Sequence, residues 1–585
     1  MSPCIVSVRV FLLSRQRALP NVAQRVRKLS TGAASGPHPE ERDVVIVGGG
    51  PAGLALAGAL ASYKHVRDSL SITLVEAGDL SSVENWSLNS GSFSNRVSSI
   101  TNASQAFLKA VGAWDHVEND RTSPIEEMQV WDGVSDARIT FTASELGLTA
   151  ANNDSGVSPQ MARLTENLNL QRGLLRHLSA SPGIQISDKV KVKAIESEVR
   201  EGGGWPLIHL SDGRTLRARL LVGADGFNSP VRSYAGISSF GWSYDTQAIV
   251  ATLSHPPRTP FEPPNTTAYQ RFLPTGPIAF LPLSPTASSL VWSTRPPLAA
   301  ALTKGVSGVL ALMINAAFRL PNVSMEYLHK VILEAEAAGT PLTLSQIKDE
   351  ISWREKSHNI DKHSAFSSML TESNQTGMPL EHSETLPPLI SSIQPGTAAS
   401  FPLRFNHAES YIGEGKGSRT VLVGDAAHTI HPLAGQGLNL GLGDVECLAR
   451  CISNTVLQGG DIGSHTALLP YAQERYIENH KIMSACDKLH KLYTTTFEPV
   501  VWARSVGLEV INELDSIKAA LMLSAGSSPK GRSSHRPGAA GWNRAAQGIE
   551  GLAGGFKVAS MLGGAAADVV GSGLRQLLKS LPQKN

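Results

Sequence analysis

Three turns, each at the end of a short apolar run, constrain this chain more than anything else in its 585 residues. They are Gly48-Gly49-Gly50-Pro51-Ala52-Gly53 near the start, Gly223-Ala224-Asp225-Gly226 in the middle and Gly424-Asp425-Ala426-Ala427-His428 far downstream. The runs before them, the β-branched Val44-Val45-Ile46-Val47 and the apolar Leu220-Leu221-Val222 and Thr420-Val421-Leu422-Val423, read as buried parallel strands. After the first turn, Leu54 to Leu60 read as a small-residue helix. Gly48 permits the tight turn, Gly50 lets a pyrophosphate approach the backbone, and Gly53 lets helix and strand pack closely. The diphosphate then lies on the helix N-terminus. A second run, Ile72-Thr73-Leu74-Val75, ends in Glu76, placed to accept hydrogen bonds from a ribose.

The first turn alone does not distinguish NAD from FAD. Together with the other two, it resembles the aromatic-hydroxylase (para-hydroxybenzoate hydroxylase-like) branch of flavoprotein monooxygenases. The resemblance implies FAD, with Asp425 of the Gly424-Asp425 pair on the ribityl chain and Asp225-Gly226 close to the pyrophosphate. It also implies that the loop from Pro432 through Gly435 and Gly437 to Asn439 presents backbone N–H groups to the N1/O2 edge of the isoalloxazine. The segment Ser94-Asn95-Arg96-Val97-Ser98 is similar to the one whose arginine reaches FAD, which assigns Arg96. Gln171 stands where the family places Arg or Gln near the diphosphate. His428 and His431 read as loop histidines hydrogen-bonded to backbone in preference to acid–base roles. No Tyr or His stands at a spacing that assigns a catalytic base.

Within that branch, Asn95 to Ile100, Gly112-Ala113-Trp114-Asp115, Met128 to Asp132, Gln270 to Pro274, Leu290 to Thr294 and Val423 to Asp444 are similar to the mitochondrial ubiquinone-biosynthesis flavin monooxygenases. The similarity runs over residues 40–520, with gaps at 145–160 and 335–400. It implies C5 hydroxylation of a polyprenylated 4-hydroxybenzoate through a flavin C4a-hydroperoxide, with dioxygen as co-substrate. C1 hydroxylation of a 2-methoxy-6-polyprenylphenol is a second reaction open to fungal-type members. Electrons from NADPH arrive directly or, as the resemblance suggests, through a ferredoxin and its reductase. Other ubiquinone-biosynthesis proteins are implied as partners in a complex.

Residues 1–39 hold Arg9, Arg15, Arg17, Arg25, Arg27 and Lys28 and no Asp or Glu, the character of a mitochondrial transit peptide over 1–35. Cleavage near Leu29-Ser30 removes those six positive charges and takes the net charge from +2 to −4. The basic balance therefore belongs largely to the targeting segment and gives no argument for nucleic-acid binding, and none is expected. The four cysteines, Cys4, Cys447, Cys451 and Cys486, form no CxxC pair and no metal-ligand cluster, so no metal is expected. No uninterrupted apolar stretch of about 20 residues exists to span a membrane. A polyprenyl substrate then implies peripheral contact with the matrix face of the inner membrane.

The expected fold is α/β, a Rossmann-type FAD-binding domain interleaved with an antiparallel substrate sheet and closed by C-terminal helices. The FAD-binding parts are 40–125, 158–235 and 405–460, and the substrate parts are 126–157 and 236–404. The stretch 335–400 reads as an irregular surface-loop insertion. Residues 461–523 read as helical and 524–585 as a low-complexity tail. A short amphipathic helix is expected there, with Val570, Leu574, Leu577, Leu578 and Leu581 on one face. Two other readings compete, a different flavin oxidoreductase and a non-catalytic flavoprotein scaffold. The Trp-x-Trp-x-Ile signature of halogenases is absent.

Overall fold

In a computed structural model of the protein, the described residues are 38–87, 91–144, 159–181, 183–199, 204–305, 308–369 and 380–514. The transit peptide and the C-terminal amphipathic helix lie outside them.

The chain begins β1 (Glu40–Val47), α1 (Pro51–Ser62), α2 (Lys64–Ser69), β2 (Ile72–Val75), α3 (Leu80–Glu84), β3 (Val97–Thr101) and α4 (Asn102–Val111). Then come β4 (Thr122–Ile125), β5 (Glu127–Asp132), β6 (Arg138–Thr142), β7 (Ala162–Glu166) and α5 (Asn167–Ser179). It continues through β8 (Ile184–Ser187), β9 (Val192–Ser197), β10 (Pro206–Leu210), β11 (Thr215–Gly223), α6 (Pro230–Tyr234) and β12 (Ser239–Ser254). Next are β13 (Thr267–Leu273), β14 (Gly276–Ser284), β15 (Ala287–Thr294), α7 (Pro296–Lys304), α8 (Val309–Arg319), α9 (Asn322–Ala337) and α10 (Leu344–Ser357). It ends with β16 (Ser392–Ile393), β17 (Ala399–Ala408), β18 (Thr420–Leu422), β19 (His428–Thr429), α11 (Gly437–Leu457), α12 (His465–Thr494) and α13 (Glu498–Asn512).

A seven-stranded sheet is ordered β8-β2-β1-β11-β10-β9, with β18 also paired to β11. The pairs β8–β2, β2–β1, β1–β11 and β11–β18 are parallel. Val44, Val45, Ile46 and Leu74 are fully buried, as a parallel sheet covered on both faces requires. Helix α1 is buried from Gly53 to Ala61 and has no polar face; it packs between the sheet and neighbouring helices. A three-stranded antiparallel sheet, β3-β7-β4, lies beside this unit.

The second large sheet has nine strands, ordered β19-β17-β12-β15-β14-β13-β5-β6, with β16 on β12. It is antiparallel except where β5 runs parallel to β13, a departure from the all-antiparallel expectation. β5 enters the sheet far ahead of β13 in sequence, so no hairpin turn dictates its direction. The irregular loop expected over 335–400 is also partly wrong: α9 extends to Ala337 and α10 occupies Leu344–Ser357. Thr343 and Gln346 close a capping box at the start of α10, and Ile347 and Ile351 are buried against the second sheet's core.

Candidate functional site

The three turns meet at the carboxyl ends of adjacent parallel strands, where open α/β sheets bind ligands. The Ala224 N–H donates to the Val47 carbonyl at 2.8 Å and the Val423 N–H to the Gly223 carbonyl at 2.9 Å. The ends of β1, β11 and β18 are thereby joined.

The glycines of the first turn divide by function. Gly48 has φ +114°, and a Cβ there would lie 2.2 Å from the Ala224 carbonyl oxygen. A Cβ on Gly53 would lie 1.9 Å from the carbonyl oxygen of Gly48. These two glycines are required by the protein's own packing. Gly50 sits at φ −70° and ψ 176°, which any residue adopts, and a Cβ there would meet nothing within 4 Å. It keeps open the space in front of α1. That helix starts with no side-chain cap and no acid in its first turn, leaving backbone N–H groups and the dipole's positive end for an anion.

Glu76 shapes this turn. One carboxylate oxygen accepts from the Gly49 N–H and the other from the Gly78 N–H at 2.6 Å. Each oxygen retains a lone pair for a further donor. Gln171 on α5 donates from Nε2 to the Gly49 carbonyl at 3.4 Å. Arg96 is exposed immediately before β3, and its guanidinium has no partner among the described residues.

At the second turn, Gly226 has φ +80°, and one Asp225 oxygen accepts from the Val231 N–H at 3.1 Å while the other is buried without a partner. Burial pushes this carboxyl above the usual carboxylate range against the opposing pull of Ser229, the Val231 N–H and Arg232. Arg232 ties this turn to the third, donating to the Ala426 carbonyl at 2.7 Å and the Phe227 carbonyl at 2.6 Å.

At the third turn, Gly424 has φ +60°, and a Cβ there would approach Ala52 Cβ at 3.4 Å, so this turn lies over the start of α1. The Asp425 side chain reaches solvent yet is crowded by protein, and desolvation raises its carboxyl above the usual range, partly offset by His428. That combination describes a carboxylate on the floor of a cleft. Asp444 on α11 pins the turn from behind. Its Oδ2 accepts from the Gly424 N–H at 3.0 Å and from His428 Nε2 at 2.6 Å. Its Oδ1 accepts from Arg475 Nε at 2.9 Å and Asn479 Nδ2 at 2.8 Å, both on α12. Burial pulls the Asp444 carboxyl up, but His428, Arg475 and Asn479 outweigh it and hold the value at about 2.

His428 therefore departs from expectation, because its partner is a buried carboxylate rather than backbone. His431 fits the expectation: its Nδ1 accepts from the Leu433 N–H at 3.1 Å, capping the turn Pro432–Ala434. Gly435 has φ +60°, with Ser99 Oγ 2.7 Å from where a Cβ would be. Helix α11 opens at Gly437 without a side-chain cap, a second free N-terminus. Asn439 works inside the protein: its Oδ1 accepts from the Thr101 N–H at 3.0 Å and its Nδ2 donates to the Ser99 carbonyl at 2.8 Å. Its side chain fastens the loop to β3, and its contribution toward a ligand is indirect.

Sequence reading missed the residues that brace the loop. A register shift in β12 between Ser243 and Gln247 turns Tyr244 toward α12, where its hydroxyl donates to Asp487 at 2.9 Å. The Tyr244 ring stands 5.1 Å from His431 and 4.8 Å from His490. No sequence pattern links these positions. Arg475 stands at i+4 from buried Tyr471 and so shares its inward face of α12.

These features fit FAD: an open uncapped helix end for the diphosphate, a half-satisfied buried acid beside it, and a cleft-floor carboxylate for a polyol. No cluster of three or more His, Cys, Asp or Glu suited to a metal occurs among the described residues.

Comparison with known proteins agrees. The model of the FAD binding domain family matches residues 41–302 and 383–484. The ubiquinone biosynthesis monooxygenase COQ6 of Xenopus tropicalis is 38% identical over 84% of this chain and 94% of its own length. Its Saccharomyces cerevisiae counterpart is 35% identical over 86% and 97%, and the Homo sapiens one 35% over 82% and 91%. Among solved structures, p-nitrophenol 4-monooxygenase PnpA from Pseudomonas putida shares the fold at TM-score 0.54 and 16% identity, covering 84% of this chain and 100% of that one. The chain is an FAD-dependent monooxygenase and belongs to the mitochondrial COQ6 family of ubiquinone-biosynthesis monooxygenases.

Proposed function

We propose that the enzyme hydroxylates C5 of the aromatic ring of a polyprenylated 4-hydroxybenzoate, at the matrix face of the mitochondrial inner membrane. The observation that carries this reading is the junction of the three turns at one set of strand ends, in a chain that aligns along nearly the full length of relatives named for ubiquinone biosynthesis. The turn at Gly48, Gly50 and Gly53 takes the FAD diphosphate, with Glu76 toward the ribose and Gln171, Arg96, Asp225 and Gly226 around it. Asp425, after Gly424, takes the ribityl hydroxyls. The loop from Pro432 through Gly435 and Gly437, fastened by Asn439, takes the isoalloxazine edge. Bound FAD supplies the redox chemistry that activates dioxygen. The chain's own part is to hold ring and cofactor in register and to exclude water.

A ferredoxin with its reductase is the proposed electron donor, drawing on NADPH, and other ubiquinone-biosynthesis proteins are proposed as complex partners. No helix among the described residues is long and apolar enough to cross a membrane. The test is the compound that accumulates in cells lacking the protein. A prenylated ring missing only the C5 oxygen supports the proposal, and 3,4-dihydroxybenzoate or vanillate then bypasses the step. A ring missing the C1 oxygen moves the reaction to that carbon, and normal ubiquinone overturns the reading.

A further inference from the structure

The closing helix α12 has two different faces. Asn479, Met483, Cys486, His490 and Tyr493 are buried. Lys481, Ala485, Lys488, Leu489 and Leu492, spaced i, i+4, i+7, i+8 and i+11, are all exposed along one face. Leu489 is 40% and Leu492 38% exposed, and Phe497 just beyond the helix is 62% exposed. From His480 to Phe497 every exposed charged side chain is a lysine, and the one carboxylate, Asp487, is buried and bonded to Tyr244. Glu478 and Glu498 bound the stretch on either side.

The strip is continuous with an aromatic patch on the second sheet. Lys491 Nζ lies 4.8 Å from the ring of Trp242, which is 41% exposed and stacked on Phe405 at 4.3 Å. It also leads to the site, because Lys491 pairs with Asp487 at 2.6 Å, Asp487 with Tyr244, and Tyr244 with His431 in the isoalloxazine loop.

Leucines and aromatics that stay in water while lysines border them suit the boundary between acyl chains and anionic headgroups. We propose that the outward face of α12, together with Trp242 and Phe497, is the surface by which the enzyme docks on an anionic phospholipid bilayer, with the mouth of the flavin loop against the membrane. The proposal rests on the reading that the substrate carries a lipid tail, and it names the face through which such a tail reaches the site.

The test uses the full-length holoenzyme and vesicles of phosphatidylcholine alone or mixed with phosphatidylglycerol. The wild type is expected to co-sediment with the mixed vesicles and to detach at high salt. Lys481→Gln and Lys488→Gln are each expected to weaken binding about fivefold, and Leu489→Ser with Leu492→Ser to abolish most of it. FAD content and turnover of a short-tailed, water-soluble phenol should stay at wild-type values in all of these. A dye on Leu489→Cys should shift to the blue on vesicle addition while the same dye on Val323→Cys, exposed on α9, does not.

Equal sedimentation of variants and wild type, or a shift at Val323 alone, overturns the proposal. So does a change only in self-association or in capture of a protein partner. The lipid arms contain no substrate. Loss of vesicle binding in the variants therefore upholds the docking face even if no prenylated phenol is turned over, an outcome that would sink the substrate reading alone.

Discussion

The first and third turns do similar work by opposite means. Around Gly48 to Gly53 the cradle is made by leaving side chains out, with Glu76 and Gln171 reaching only the backbone of Gly49 and Gly78 beside it. Around Gly424-Asp425 the same sheet edge is held by a buried carboxylate that collects four hydrogen bonds from a turn, a histidine and a second helix. A site formed by omission fails when something is added. A site formed by cross-linking fails when something is removed. The two turns should therefore break differently.

The largest effect is expected at the cross-linked turn. Asp444→Ala leaves Arg475 buried without its counter-charge and should cost about 3–5 kcal/mol of stability, with or without FAD, measured by chemical denaturation. Wild-type stability in that variant would show that the network does not hold the fold.

The sharpest test of the omitted side chains sets Gly53 against Gly50. Gly53→Ala drives a methyl into a backbone carbonyl and should destabilise the apoprotein by about 1–3 kcal/mol or more. Gly50→Val should leave apoprotein stability within about 0.5 kcal/mol of wild type but yield protein without FAD. A full flavin complement in Gly50→Val would mean that the space before α1 is not where the diphosphate lies.

On the proposed reading Asp425→Ala removes a charge-assisted hydrogen bond to the cofactor. The only tie of Asp425 to the Asp444 network is the electrostatic pull of His428, its side chain accepting no hydrogen bond among the described residues. FAD affinity should fall about ten- to a hundredfold, as read by flavin fluorescence titration.

The smallest effect is with pH. The folded-state value of Asp444, about 2, lies below its ordinary 3.8. The stabilisation is therefore complete above the unfolded value and is lost as pH falls through about 2, amounting to about 2 kcal/mol. Unfolding free energies between about pH 4 and pH 2 should show this slope in the wild type and lose it in Asp444→Asn.

How much was legible in the sequence follows the same division. Gly48, Gly50 and Gly53 were readable because a tight turn and a close approach are local demands, met within six residues. The place of Asp425 at a strand end was readable from the apolar run before it, whereas its role toward a cofactor came from the family resemblance. Asp444 with Arg475 was not, because the partners stand 31 residues apart on different helices and either one alone looks like an ordinary surface charge. Tyr244 depended on a bulge that no alternation of apolar residues announces. The helix α10 was legible but unread: Thr343-Leu-Ser-Gln346 ahead of Ile347 and Ile351 is a helix start, and polar composition outweighed it.

One feature of the first sheet bears on how the enzyme is made. β1 lies between β2 and β11, and β11 is completed by β18, whose first residue is Thr420. A chain delivered N-terminus first carries the apolar ribbon Val44–Val47 with one flank bare until β11 arrives, and the cofactor cleft lacks a wall until β18 follows. Assembly of the cleft is thus a late and non-local event. Flavin that binds the finished cleft and not the unfinished one pulls this late step forward by mass action, so the yield of folded enzyme is expected to rise with flavin supply.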